Sequence, residues 1–257
     1  LHESSRDPLL PYIPHWTSIT KIYVGNGLGS ANNILMALLG LPDLTDVTAT
    51  GPEIDAKLIP SFCESLLKSH QLTRLDLRLT PKQAVREMYG SLASTFSKLE
   101  NLVDLVITLD SFLGMAPLWL PGLETLSLNE SSGYSIQSHS KPNPFLHTSN
   151  LTALTLIVEP TELYTLSPFF PTKLQKLVIS SDNLKPAEGN QFLNDIAPLS
   201  QLYTFKYDID LDGILPDLYL QKLPSLQFGR FTLETLTDEY MSKLLPVFPN
   251  CSFNSFQ

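Results

Sequence analysis

Residues 71–79, Gln-Leu-Thr-Arg-Leu-Asp-Leu-Arg-Leu, place apolar side chains at Leu72, Leu75 and Leu77, spaced three and then two. Side chains two apart in a strand point to the same face, so Leu75 and Leu77 face inward together, and Leu72 enters from the preceding bend. The same spacing returns at Leu102, Leu105, Ile107; Leu123, Leu126, Leu128; Leu151, Leu154, Leu156; and Leu174, Leu177, Ile179. Weaker copies are Ile19, Ile22, Val24; Leu44, Val47, Ala49; and Leu202, Phe205, Tyr207. Two degraded copies follow, Leu226, Gly229, Phe231 and Cys251, Asn254, Phe256. A strand with one apolar face cannot bury it alone, and stacking parallel copies builds a continuous core. Ten copies at a mean interval of about 26 residues make the chain one elongated repeat body over residues 19–257, with residues 1–18 as an N-terminal extension or cap.

The composition agrees. Of 257 residues, 49 are leucine, 43% are hydrophobic and 17% are charged, with a net charge of −9. That apolar content excludes a disordered chain. No apolar run is long enough to span a membrane, and an acidic balance argues against a nucleic-acid-binding domain. Two cysteines, Cys63 and Cys251, are too few for a disulfide framework and suit a reducing compartment, the cytoplasm or nucleus. Secretion is the alternative: three Asn-x-Ser/Thr triplets start at Asn129, Asn150 and Asn250. The first residue is Leu1, as expected of a fragment or processed product, and the opening segment lacks a signal-peptide pattern.

The connections between strands read mainly as helices. Thr80-Pro81-Lys82-Gln83 offers a cap, a proline at the first helical position and a glutamine three after the cap. Val85, Met88, Leu92, Phe96 and Leu99 then follow at helical spacing. Further helices are predicted over Ser30–Leu39, Asp55–Lys68, Asn190–Ile196 and Thr237–Leu245. The short Ser111–Trp119 interval leaves room for a turn or two of tight helix. Apolar-proline steps at Leu41-Pro42, Leu120-Pro121, Phe170-Pro171, Leu223-Pro224 and Phe248-Pro249 lead into the strands. Proline suits the point where a helix has ended and an extended segment begins.

The units LPGLETLSL, NLTALTLIV and KLQKLVIS resemble leucine-rich repeats of the long, irregular kind found in fungal F-box proteins. The resemblance covers Ile19 to Phe256 and implies an α/β leucine-rich-repeat solenoid, a horseshoe with a parallel sheet on its concave face and irregular helices on its convex face. It also implies substrate recognition in a ubiquitin ligase, with a Skp-type adaptor docking on an F-box upstream of Leu1. The usual asparagine or cysteine after each strand is mostly missing, with Asn183 a displaced candidate, so a regular asparagine ladder is not expected.

Several motifs imitate chemistry. Gly25-x-Gly27-x-Gly29 between a strand and a helix copies a dinucleotide turn, but Ser30 replaces the final glycine and no acidic residue ends the next strand. Asp208-x-Asp210-x-Asp212-Gly213 copies the first half of a calcium loop, but Tyr219 replaces the bidentate glutamate and Pro216 interrupts it. The five histidines, His2, His15, His70, His139 and His147, fall in tails or loops. Cys63 beside Glu64 reads as a core cysteine on an amphipathic helix. No nucleophile elbow, zinc-protease helix or Cys-x-x-Cys pair is present, so no enzyme activity and no cofactor are expected. The Ser-rich stretch Glu130–Pro144 reads as a solvated insertion on one face of the solenoid.

The expected binding surface is the concave face, where each strand presents the residues flanking its inward pair. These are Lys21 and Tyr23; Asp46 and Thr48; Arg74, Asp76 and Arg78; Asp104, Val106 and Thr108; Thr125, Ser127 and Asn129. They continue with Ala153 and Thr155; Lys176 and Val178; Thr204 and Lys206; Phe228 and Arg230. The partner set is drawn from Lys21, Tyr23, Asp46, Arg74, Asp76, Arg78, Asp104, Lys176, Lys206, Phe228 and Arg230. Such a surface suits a protein or peptide. Two alternatives remain at this point: a secreted or host-targeted receptor or effector, and a GTPase-activating protein using Arg78.

Overall fold

A computed structural model describes residues 10–25, 31–50, 58–78, 89–129, 143–181, 192, 195–196, 198–208, 228–233 and 252–255. Ten strands follow one another in chain order across a single sheet. They are β1 (Lys21–Val24), β2 (Asp46–Thr50), β3 (Arg74–Arg78), β4 (Asp104–Thr108), β5 (Thr125–Asn129), β6 (Ala153–Ile157), β7 (Lys176–Ser180), β8 (Thr204–Asp208), β9 (Phe228–Leu233) and β10 (Ser252–Ser255). Every neighbouring pair is parallel. The predicted middle positions fall into one register row: Ile22, Val47, Leu75, Leu105, Leu126, Leu154, Leu177, Phe205 and Gly229.

The tenth copy is a correction. Its expected inward pair was Asn254 and Phe256, but β10 sets Phe253 opposite Phe231 and Asn254 opposite Thr232. The offset is three residues from the expected pairing of Phe256 with Phe231, and an odd offset exchanges the two faces of a strand.

Between the strands run α1 (Ala31–Leu39), α2 (Ile59–Leu66), α3 (Tyr89–Phe96), α4 (Leu109–Met115) and α5 (Pro160–Leu166), with 3-10 turns at Ile13–His15 and Ser167–Phe169. The helix predicted over 55–68 is shorter at its C-terminal end. After Leu66 the N–H groups of Lys68 and Ser69 bond to Ser65 and Leu66, which turns the chain toward Leu72. The helix predicted from Thr80 is seen as α3, and 79–88 lie outside the described residues. The interval expected to hold a tight turn contains α4, seven residues of ordinary α-helix. The helix α5 was not predicted. Its signal is Glu159-Pro160-Thr161-Glu162: Glu159 caps the helix, Pro160 opens it, and Glu162 Oε2 accepts the Glu159 N–H at 3.1 Å. The helices predicted at 190–196 and 237–245, and both loop motifs beyond Gly25 and Asp208, fall largely or wholly outside the described residues.

One core runs from Ile13 to Leu202 through the inward strand residues and the inner faces of the helices. The bend leucines Leu72, Leu102, Leu123, Leu151, Leu174 and Leu202 are all buried. Tilted or edge-on phenylalanines link successive coils: Phe112 to Phe145, Phe145 to Phe170 and Phe170 to Phe192, with centroids 5.6, 6.0 and 6.5 Å apart. Before β1, Ile13 is buried, and Leu10, Trp16 and Ile19 pack against the same core. Consecutive helices from α1 to α4 touch on the far side. Strands stack at about 4.8 Å and helices at about 8–10 Å, so the stack bends with the sheet on its inner side.

Candidate functional site

The inward residues and the helices occupy one side of the sheet, and the outward residues of the strands line the opposite side. Its first register row reads Lys21, Asp46, Arg74, Asp104, Thr125, Ala153, Lys176, Thr204 and Phe228. The first four alternate in charge and pair across strands. Lys21 Nζ lies 3.6 Å from Asp46 Oδ2, and Arg74 Nε lies 3.3 Å from Asp104 Oδ2. Burial pushes the Asp104 carboxyl above the usual range; Arg74 pulls it back, while the negative charges of Asp46 and Asp76 add to the rise. Pairs this exposed contribute about 0–1 kcal/mol, so their role is to neutralise this part of the face.

The second row reads Tyr23, Thr48, Asp76, Val106, Ser127, Thr155, Val178, Lys206 and Arg230. Tyr23 is prominent at 74% exposure, with its hydroxyl 3.4 Å from Thr50 Oγ1. Asp76 departs from expectation: it sits on the open face but is only 5% exposed. Val106 and Thr108 are buried as well. A short side chain in a central strand is flanked closely on both sides by the neighbouring strands, here Thr48 and Val106 beside Asp76. Thr108 is also engaged as a donor to Ser111 Oγ at 2.8 Å, where β4 runs directly into α4. Thr125, Ser127, Asn129, Ala153 and Thr155 form a half-buried, uncharged centre. Lys176 is exposed. Arg78, Lys206, Phe228 and Arg230 hold the expected strand positions, and their side chains lie outside the described set.

The polar device that sequence reasoning missed lies just before the strands, not after them. Thr45 and Asp46 both donate their N–H groups to the Thr20 carbonyl, at 2.8 and 3.1 Å. The same fork recurs on the carbonyls of Thr45, Thr73, Val103, Glu124, Thr152 and Gln175. The hydroxyls of Thr45, Thr73 and Thr152 add a contact to the preceding coil. Asn101 and Asn150 extend the device by donating Nδ2 to the carbonyls of His70 and Pro121, at 2.8 and 2.7 Å. The legible signal was threonine or asparagine at a fixed offset before several strands. Asn150, noted as a possible glycosylation acceptor, thus spends its amide on the backbone.

Other groups singled out earlier stand apart from the open face. Cys63 is buried in α2; burial raises its thiol pKa, and a hydrogen bond with Thr95 works against the rise. His147 stacks on exposed Trp119 at 4.8 Å in a turn outside the sheet. Among the described residues, no group of three or more His, Cys, Asp or Glu is placed to hold a metal ion, and no helix is long and apolar enough to cross a membrane.

No family model matches the chain, and no curated protein matches it. Among solved structures, the leucine-rich repeat-containing protein LegL7 from Legionella pneumophila aligns over 98% of this chain and 87% of its own, with a TM-score of 0.56 at 14% identity. The fold is a leucine-rich-repeat solenoid. At that identity the likeness concerns architecture alone. TLR13 in its complex with ssRNA13 (TM-score 0.40, 16% identity, 88% of this chain and 38% of that one) adds nothing to this conclusion. The same holds for the LRR protein LIC12759 from Leptospira interrogans (TM-score 0.22, 12% identity, 97% and 99%).

Proposed function

We propose that the solenoid is a recognition scaffold that binds a protein or peptide along the open face of its sheet. The observation that carries this reading is the division of labour between the two sides. One side and all five described helices build the core, while the other presents Lys21, Tyr23, Arg74 and Lys176 to solvent around an uncharged centre. A repeated strand offers side chains in register along an extended ligand, a geometry matched to a polypeptide.

Photo-crosslinking tests the reading in cells. A benzophenone side chain placed at Ser127 or Thr155 is expected to trap a protein partner, and the same group at Lys98, on the helix side, is not. Crosslinks that arise equally from Lys98, or from neither face position, count against it.

The finer reading is that this region recognises substrates for a cullin-based ubiquitin ligase in the cytoplasm or nucleus. Its support is the repeat style shared with fungal F-box proteins, together with a cysteine content suited to a reducing compartment. Affinity purification of the full-length protein is expected to recover a Skp-type adaptor and a cullin; their consistent absence contradicts this role while leaving polypeptide recognition intact.

A further inference from the structure

On the first row of the open face, β1 to β4 carry Lys21, Asp46, Arg74 and Asp104, so the charge changes sign at every strand. Two ion pairs hold the set, Lys21 with Asp46 at 3.6 Å and Arg74 with Asp104 at 3.3 Å. The ladder is neutral in sum and patterned in space. All four side chains reach solvent, from 75% exposed at Lys21 to 19% at Asp46. Beside them on the second row Asp76 and Val106 are buried, so at β3 and β4 the first-row charges are what a partner meets.

A molecule that covers this row strips water from four ions, and weak exposed pairs do not offset that loss. Charges of the opposite order on the partner do, whereas like charges brought face to face are strongly unfavourable. Strand spacing then sets the geometry, because neighbouring positions of the row lie about 4.8 Å apart. A helix rises about 1.5 Å per residue, so positions i, i+3, i+7 and i+10 of one face follow each other at about 4.5–6 Å. Same-face residues of an extended chain lie about 6.6–6.8 Å apart and fall out of step with the row by the third strand.

We propose that this end of the open face binds an α-helix of the partner polypeptide, one whose contacting stripe reads acid, base, acid, base over Lys21, Asp46, Arg74 and Asp104. This rests on the open-face reading above and adds the partner's form and charge order to it. Tyr23, 74% exposed and two residues along β1 from Lys21, offers the same helix an aromatic contact at its β1 end.

The test is selection on the immobilised full chain from a phage-displayed single-helix library with one face randomised. Selected helices are expected to alternate acidic and basic residues at i, i+3, i+7 and i+10. A synthetic helix with Glu, Lys, Glu, Lys at these positions should bind about ten-fold or more tightly than the same helix in the blocked order Glu, Glu, Lys, Lys, which keeps composition and net charge. The double exchange Asp46→Lys, Arg74→Asp gives the ladder itself a blocked order and should reverse that preference, while Lys98→Glu on the helix side should leave it unchanged. Thermal unfolding followed by circular dichroism checks that the exchanged chain folds; if it does not, Asp46→Asn with Arg74→Gln should erase the preference. Equal binding of the two orders, or a preference that neither ladder variant alters, overturns this proposal and leaves the open-face reading standing. A proline-containing extended peptide that binds the same residues more tightly than any helix does likewise. If no helix is selected the proposal falls, and crosslinking from Ser127 and Thr155 decides the open-face reading separately.

Discussion

Asp104 ties the charge arrangement of the open face to stability through one carboxyl group. Desolvation raises its pKa above the ordinary 3.8, against the pull of Arg74. The folded chain therefore holds a proton at Asp104 in the window just above that value, where the unfolded chain has released it. Stability from this group is present below the window and declines as pH rises through it. Urea midpoints measured across the acid range should show that decline in the unaltered protein and a flatter profile in Asp104→Asn; identical profiles would contradict the assignment. Asn101 makes a second prediction at this scale. Its amide donates to the His70 carbonyl of the preceding coil, so Asn101→Ala should cost about 1 kcal/mol in urea unfolding. Lys98→Ala, exposed one turn earlier and without such a bond among the described residues, should cost much less.

Among the elements, α5 and α4 show how much local chemistry can be read from residues alone. The α5 capping box depends on Glu162 accepting the Glu159 N–H, so Glu162→Ala should lose about 1 kcal/mol, and Glu162→Gln, which retains an acceptor oxygen, should lose less. In α4, a methyl group on Gly114 would meet the Tyr89 ring at 2.1 Å. Because Tyr89 is itself buried, Gly114→Ala should destabilise by about 1–3 kcal/mol, and combining it with Tyr89→Ala should give a loss smaller than the sum of the two. Strand positions were legible because a three-two apolar spacing leaves only one way to bury each copy, and nine strands follow it. The tenth failed where the copy had decayed to Cys251, Asn254 and Phe256 and spacing outweighed polarity. The missed helix had its signal in Glu159-Pro160-Thr161-Glu162, but a Glu cap is less familiar than Ser or Thr. The burial of Asp76 was not legible at all, because shading on a sheet face depends on neighbours about 30 residues away in sequence. Likewise, the coil-to-coil forks use main-chain groups, which any residue supplies.

For the molecule as a whole, each coil is held mainly by the coils on either side. Leu126→Ala removes a fully buried side chain from the central row and should cost about 2–5 kcal/mol. In hydrogen exchange, protection should fall first in β5 and its neighbours β4 and β6, fading with distance along the stack. Uniform loss across all strands would show instead that the solenoid opens as one cooperative unit. The forked carbonyls have a mechanical consequence. Tension applied between the two termini runs across the strands, along the N–H···O bonds, so the coils are loaded one after another, not sheared together. The molecule should therefore peel by single coils under low force, lengthening as a soft spring and re-forming each fork from the neighbour still in place.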